Sequence, residues 1–518
     1  MLFNSYSFIF LFLPIAVFGF YRLGNRFNPK VSLIWLIVAS AIFYGWFSPG
    51  FLLLLLLSIV VNAIIGKKLI AQKNRSLLIT GLVFNLGLIA LFKYAHFLAE
   101  NVAWLLGTQA PTFKIMLPLA ISFFTFQQIA FIVDCYHGKV KIFHFLQYCL
   151  FIVFFPQLIA GPIVQHHQMI PQIERPHFNR IKMQHIALGL SIFIVGLFKK
   201  VIFADNCALF ANPIFEAAGK GIELTFFESW WGAIAYTLQL YFDFSGYSDM
   251  AIGLALLFNI KLPLNFNSPY KALNIIDFWR RWHITLSTFL RDYLYIPLGG
   301  NRKGTYQRQL NLMITMLLGG IWHGASWNFV IWGGLHGLFL MINHSWRTFR
   351  QKVLRHDLAI SSWQARALSQ LMTLFCIVIA WVFFRASTFA EAKQMLSAML
   401  GMNGISLIQS LKSSLGTFTP WLMSHGVTFD GLFANELADL RQATAILIPL
   451  WIVVLFLPNS QQFLLSHTRL AQDFMLTMTT GQRLAWKSNT IWAIFIGLLG
   501  MISILCLAKA SDFIYYQF

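Results

Sequence analysis

The sequence predicts an all-α, polytopic integral membrane protein, and three observations carry that prediction. Of 518 residues, 58% are hydrophobic and only 11% are charged, with a mean hydropathy of +0.66. A soluble globular chain carries roughly 25% charged residues, so this one has less than half the usual share. The apolar residues also come in runs of membrane length rather than in amphipathic stripes. About 20 apolar residues span a bilayer core, and Phe51 to Ile65 (FLLLLLLSIVVNAII) is almost unbroken.

Taken in order, the apolar runs cover 7–20, 31–47, 51–65, 77–92, 115–133, 143–164, 185–203, 225–259, 310–342, 367–384, 445–457 and 490–508. Those at 225–259 and 310–342 are each long enough for two segments. About 11 to 13 membrane segments are therefore expected, some of them re-entrant. The first run has no basic leading region and no small-residue cleavage site, so it reads as a retained helix rather than a signal peptide. Pro156 and Pro162 interrupt the run at 143–164, where a re-entrant segment is one explanation. Two stretches are polar enough to leave the bilayer, 260–309 and about 386–444. The second begins with a helix-like piece, Thr388 to Leu400, and reads as an extramembranous insertion. No linker, low-complexity tract or internal repeat divides the chain, so residues 1–518 read as one domain with a motif-bearing core at 150–345.

Charge sets the expected topology. Arg22, Arg26 and Lys30 follow the first span, and Lys67, Lys68, Lys73 and Arg75 follow the third. The turn after the second span, Ser48-Pro49-Gly50, carries no base. By the positive-inside rule these basic loops are cytoplasmic and the amino terminus lies outside. Lys139 and Lys141 keep the same phase. The formal charge of +20 fits basic loops against anionic lipid headgroups. Nucleic acid is not expected as a partner, because no basic domain stands clear of the apolar runs. The cysteines at 135, 149, 207, 376 and 506 show no CxxC pair and no metal-ligand spacing, so neither a disulfide framework nor a metal site is expected.

Three polar islands carry the candidate chemistry. Asp277 to Leu294 (DFWRRWHITLSTFLRDYL) places Arg280, His283, Ser287 and Arg291 at spacings of three, four and four, one face of a helix if the stretch is continuous. With Arg281 beside them, these bases suit the phosphates of a nucleotide-containing or phosphopantetheinyl donor. An interfacial amphipathic helix lying on anionic lipid accounts for the same residues equally well. The stretch GGIWHGASWNFVIWGGLHG, 319–337, sets His323 among apolar and small residues. An ionisable group at membrane depth is costly and marks a functional site by default, and imidazole suits general-base work. Flanking glycines permit close approach of a substrate or simply of another helix. His336 follows thirteen residues later, and on one unbroken helix the two histidines would not share a site. The third island is YFDFSGYSDMA, 241–251, where Ser245 and Asp249 lie one turn apart, as do Asp243 and Tyr247. A proton relay, an ion site or a structural hydrogen-bond network are the readings open to it.

Absences narrow the chemistry further. The segment Gly299-Gly300-Asn301-Arg302-Lys303-Gly304-Thr305 lacks phosphate-loop spacing, no HExxH occurs, and Gly324-Ala325-Ser326-Trp327-Asn328 lacks the last glycine of a nucleophile elbow.

Four of these segments together carry a resemblance: PQLIAGPIVQ (156–165), YFDFSGYSDMAIGLALLFNIKLPLNFNSPY (241–270), DFWRRWHITLSTFLRDYLYIPLGGNRKG (277–304) and GGIWHGASWNFVIWGGLHG (319–337). The chain resembles the membrane-bound O-acyltransferase family, within it the bacterial branch active in alginate O-acetylation. The likeness runs from the opening MLFNSYSFIFLFLPI to about residue 400. The resemblance implies a helical membrane fold around a central tunnel in a bacterial inner membrane. It also implies His323 as the catalytic histidine and His283 as a second contributing one. Asp243, Ser245, Tyr247, Asp249 and Asn265 would line or brace the tunnel, with Trp322 and Asn328 beside them. The implied donor is acetyl-CoA or another acyl thioester, used as substrate with no bound cofactor. The implied acceptor is a polysaccharide hydroxyl, reached directly or through a periplasmic acetyl-acceptor protein.

Three other readings compete. A transporter or flippase for a lipid-linked sugar or acyl carrier would use the intramembrane Asp243 and Asp249, although no inverted repeat is visible. D-alanyl transfer to teichoic acid is the related enzymatic alternative. An accessory scaffold that only recruits a soluble acetylase would be indifferent to His323→Ala.

Overall fold

The computed structural model describes residues 1–111, 115–357, 362–431, 440–465, 486–509 and 513–514. Helix α1 (Ser7–Arg26) opens with a π-helical stretch and is followed by α2 (Pro29–Gly45), α3 (Pro49–Ala71) and α4 (Arg75–Leu106). Asn28 and Asn74 begin α2 and α4 by accepting Val31 N and Leu77 N on their side-chain oxygens, each at 3.1 Å. Helix α4 widens into a π-helical turn at Ala90–Tyr94 without ending. Then come α5 (Ile121–Tyr136), α6 (Phe145–Val153), the single turn α7 (Phe155–Leu158), α8 (His166–Ile173) and α9 (Met183–Gly219), itself widened at Lys199–Ala204. The central helix α10 (Phe226–Leu257) starts at a capping box, where Thr225 N and Oγ1 both donate to Glu228 Oε2 at 2.8 Å.

Two short helices, α11 (Ile275–Trp279) and α12 (Ile284–Leu290), lead to the hairpin of α13 (Gly304–His323) and α14 (Trp327–Lys352). Beyond it lie α15 (Trp363–Arg385), α16 (Phe389–Met399), α17 (Gln409–Ser414), α18 (Phe418–Ser424), α19 (Leu440–Phe456), α20 (Ser460–Leu465) and α21 (Thr490–Cys506). The strands β1 (Ile405–Ser406) and β2 (Val427–Thr428) form a two-residue parallel pair in the region read as an insertion. The fold is otherwise helical among the described residues.

Among the described residues, five helices are long and apolar enough to cross a membrane: α1, α3, α4, α9 and α15. Shorter apolar helices occur at Pro29–Gly45, Ile121–Tyr136, Ala443–Phe456 and Thr490–Cys506. Helix α10 is not in either set, because its aspartates lower its hydropathy. Yet every residue from Ala235 to Leu257 is buried. It forms the pillar around which the other helices pack, and its 32 residues extend about 48 Å at 1.5 Å each. Small residues let α9 lie against it: a Cβ on Gly196 would stand 2.6 Å from Gly246 O, and one on Gly253 would stand 2.5 Å from Gly189 O.

Several expected segments resolve differently. The run at 225–259 is one helix, not two, because hydrogen-bonded partners surround its polar middle and no turn is needed there. The run at 310–342 does form two. The stretch 277–294 is not one helix: α11 ends at Trp279, and His283 sits in the left-handed region at φ +43° before α12 begins. The expected single face of Arg280, His283, Ser287 and Arg291 is therefore absent. At 143–164 the chain breaks at Phe154 (φ −52°, ψ 106°), makes one turn, and continues extended through 161–165. Residues 150–165 are buried throughout, the condition under which irregular backbone is tolerated at membrane depth.

Candidate active site

Helix α13 stops at His323 because Gly324 takes extended backbone (φ −166°, ψ 157°), and Ser326 restarts the chain as the N-cap of α14. The two helices then run back along each other. Gly320 and Gly333 close the hairpin, since a Cβ on Gly320 would stand 2.2 Å from Phe329 O and one on Gly333 2.4 Å from Met316 O. His323 is left at the turn, 4% exposed. Its ring packs edge-on against Trp332 (centroids 5.0 Å apart), Phe384 (5.1 Å) and Trp322 (4.9 Å).

The fold-back overturns the premise that kept His336 away. Trp332 touches both imidazoles, lying 4.7 Å from the ring of His336. His336 Nδ1 lies 3.3 Å from the indole nitrogen of Trp279, which donates to it, and the ring stacks on Phe278 at 6.1 Å. His336 thus stands one aromatic ring behind His323.

His283, fully buried, also packs edge-on against Trp322, with ring centroids 6.3 Å apart. Its Nδ1 lies 3.1 Å from Asn265 Oδ1. The same oxygen accepts from Thr285 Oγ1 at 2.9 Å and from Thr285 N at 3.3 Å, while Thr285 Oγ1 also accepts from Ile163 N at 3.0 Å. The extended segment after Pro162 is therefore tied to the turn that holds His283. Phe244 of α10 closes the remaining side of the His283 ring at 4.8 Å.

Two adjoining cavities meet at the α13–α14 turn. The smaller, about 90 Å³, is lined by Trp322 and His323 together with Ser122, Phe123, Ile159 and the 117–121 segment. The larger, about 660 Å³, is lined by Gly324, Ala325, Ser326, Asn212, Glu216, Gln239, Arg385 and Ser387, with Ile514 at one wall. Lys93 and Leu117 belong to both linings. An imidazole thus stands beside a small compartment that adjoins a larger, polar-lined chamber.

Of the residues expected to line or brace a tunnel, Trp322 stands beside the small cavity, and the α10 residues fill the protein core. Asp243 Oδ1 pairs with Lys200 at 2.7 Å and its Oδ2 accepts from Ile514 N at 3.1 Å. Asp249 pairs with Lys199 at 2.8 Å and accepts from Ser460 Oγ and Gln461 Nε2. Ser245 is buried, and Tyr247 packs between Phe3 (5.0 Å) and Phe513 (4.7 Å). Asn328 Nδ2 donates to Ala386 O at 2.8 Å, fastening the start of α14 to the end of α15. The two carboxylates that favoured a transporter are thus each held by a lysine of α9.

Among the bases expected to meet donor phosphates, Arg281 Nε bonds Asp277 Oδ1 at 2.8 Å and Arg291 Nε bonds Asp292 Oδ1 at 2.7 Å. Arg280 is exposed, with no carboxylate in ion-pair range among the described residues. Sequence reasoning passed over Lys93, Lys199, Lys200, Thr285 and Arg385. The first three had a signal: each is a lysine inside or at the edge of an apolar run.

The family model for the membrane-bound O-acyltransferases matches residues 135–389, which contain His283, His323, His336 and the α13–α14 turn. A peptidoglycan O-acetyltransferase of Helicobacter pylori is 45% identical over 444 residues, covering 80% of this chain and 82% of that protein. The chain belongs to the membrane-bound O-acyltransferase family. It is accordingly an all-α, multi-pass membrane protein and an O-acyltransferase. A probable alginate O-acetylase of Pseudomonas aeruginosa is 39% identical over 426 residues, covering 80% of this chain and 78% of that protein. A teichoic acid D-alanyltransferase of Bacillus subtilis is more distant, 28% identical over 356 residues and 66% of this chain. Within this acyltransferase, the matched region supplies the hairpin, the His283 turn and the central helix, while Lys93 and Leu117 come from outside it.

Proposed function

We propose that this O-acyltransferase moves an acetyl group from a cytoplasmic thioester, such as acetyl-CoA, to a hydroxyl of an extracytoplasmic polysaccharide of the bacterial cell envelope. The acceptor receives it directly or through a periplasmic acetyl-acceptor protein. The observation that carries this reading is the placement of His323 on the wall of an acetyl-sized compartment, with the residues that follow it, Gly324 to Ser326, lining the adjoining polar chamber. Two relatives named for O-acetylation of peptidoglycan and of alginate give the glycan class.

In the proposed reaction His323 takes the proton from the acceptor hydroxyl as its oxygen attacks the thioester carbonyl. The tetrahedral intermediate collapses, the carbon–sulfur bond breaks, and the imidazolium returns the proton to the departing thiolate. The products are the acetyl ester and a free thiol. His283, oriented by donating from Nδ1 to Asn265 Oδ1, packs against the same Trp322 ring and is assigned as the second contributing histidine. Arg280, the exposed base beside this turn, is assigned to a donor phosphate.

The direction of transfer follows from charge. The basic loop before α4 is read as cytoplasmic, which puts the amino terminus outside. Near the opposite end of α4, Asn101 Oδ1 accepts from Trp327 Nε1 at 3.0 Å, so the α13–α14 turn lies towards the outer face. The large chamber would then receive the acceptor from outside in an inner membrane.

Label transfer or hydrolysis from radiolabelled acetyl-CoA by purified protein in lipid, wild type against His323→Ala at matched folding, tests the proposal. Loss of about 10²-fold or more in the variant is expected for removal of a general base. Equal activity would remove His323 from the mechanism.

A further inference from the structure

An α-helix leaves its last four carbonyls without intrahelical donors. In α13 these belong to Gly320, Ile321, Trp322 and His323, and the chain departs at Gly324 in extended form. Three of the four are taken by two consecutive residues of α4. Tyr94 Oη donates to Ile321 O at 2.5 Å, and Lys93 Nζ donates to Trp322 O at 2.6 Å and to His323 O at 3.0 Å. Lys93 Nζ also lies 3.5 Å from Ser122 Oγ at the start of α5.

Successive residues of a regular α-helix point about 100° apart, which would send the two side chains to different neighbours. Here both lie in the π-helical turn Ala90–Tyr94, where an extra residue widens the helix locally. A positive charge at a helix C-terminus also meets the negative end of the macrodipole.

We infer that Lys93 and Tyr94 are positioning residues for the catalytic histidine, a cap supplied by another helix that fixes the end of α13 and with it the imidazole of His323. The inference rests on the reading of His323 as the base. Helix α13 cannot be capped by its own chain, because the extended Gly324 is what leaves His323 on the wall of the small cavity and carries the chain on to line the large one. Lys93 faces both cavities, so the cap also sits where donor and acceptor meet. Small displacements matter at such a point: a shift of about 1 Å in a reacting group costs on the order of 10²-fold in rate.

The test is steady-state acetyl transfer or hydrolysis by the full chain in lipid nanodiscs for wild type, Lys93→Met, Lys93→Arg, Tyr94→Phe and His323→Ala, each checked by thermal melting. Lys93→Met should lower kcat on the order of 10²-fold with KM for acetyl-CoA moved less than about threefold. Lys93→Arg, which keeps a cationic donor, should recover most of that loss. Tyr94→Phe, an isosteric change that should fold normally, should lower kcat several-fold with KM unmoved. Wild-type kcat in Lys93→Met or Tyr94→Phe, with His323→Ala inactive, overturns the inference and leaves the base assignment standing. A raised KM with unchanged kcat also overturns it, because that is the mark of donor binding. Activity in His323→Ala overturns the assignment of the base itself.

Discussion

Gly320 and Gly333 face each other across the α13–α14 hairpin at a separation that admits no side chain on either: a Cβ on Gly333 would stand 3.2 Å from the Gly320 Cα. The hairpin depends on that approach, and through it so does the adjacency of His323, Trp332 and His336. Gly333→Leu should force the helices apart, at more than the roughly 1–3 kcal/mol typical of core overpacking, because the obstacle is backbone. Gly334 provides the contrast, since a Cβ there meets only a Leu317 methyl at 3.6 Å. Gly334→Ala should be neutral or stabilising by up to about 1 kcal/mol. Thermal melting of the two variants in one detergent checks the ranking.

Asn265 Oδ1 gathers His283 and both donors of Thr285 on one atom. Asn265→Leu removes that acceptor and should cost about 1–3 kcal/mol for each buried donor left unsatisfied. Asn265→Asp keeps an acceptor in place and should retain more acetyl transfer than the leucine variant. Comparing kcat for the two, with melting as control, distinguishes orientation of His283 from simple packing.

Lys200 lies between Asp243 and Asp205, at 2.7 and 2.8 Å, and is 1% exposed. Breaking a buried ion pair by removing one partner typically costs about 3–5 kcal/mol, and Lys200→Met should reach that range because it strands two carboxylates. Asp243→Asn should be milder, since Lys200 keeps Asp205 and the amide oxygen still accepts from Ile514 N. The order of their unfolding midpoints is the measurement.

Of the three arginines proposed to meet donor phosphates, Arg280 alone should act mainly on donor binding. Arg280→Ala should raise KM for acetyl-CoA about tenfold at low salt, with a smaller effect at high salt where charges are screened. Arg281→Ala and Arg291→Ala, whose guanidiniums are engaged by Asp277 and Asp292, should move KM less.

The sequence announced helices, membrane character and the family, because those rest on local composition or on long motifs. What it did not show was where helices stop. The readings of His283 and His336 were both conditional on unbroken helices, and that condition fails: the chain turns at residues 280–283 and again at 324–326. Neither turn contains proline, and each is stabilised by distant residues, Asn265 in one case and Lys93 in the other. The partners of Asp243 and Asp249 were hidden likewise, whereas Asp277 stands only four residues before Arg281 and was legible locally. A lysine fifty residues away in sequence has no local signature, although a lysine within an apolar run is itself a signal to look for its acceptor.

The pairing of α9 with α10 bears on how the polypeptide reaches its bilayer. Helix α9 carries Lys199 and Lys200, α10 carries Asp243 and Asp249, and only residues 220–225 separate the two helices. Lys200 has Asp205 on its own helix, but Lys199 of α9 and both aspartates of α10 would enter lipid unpaired if either helix came alone, a cost of several kcal/mol per group. Together Lys199, Lys200, Asp243 and Asp249 sum to zero charge. The two helices are thus best released into the membrane as one preformed unit, and a ribosome pausing between them would expose the most vulnerable stage of biogenesis.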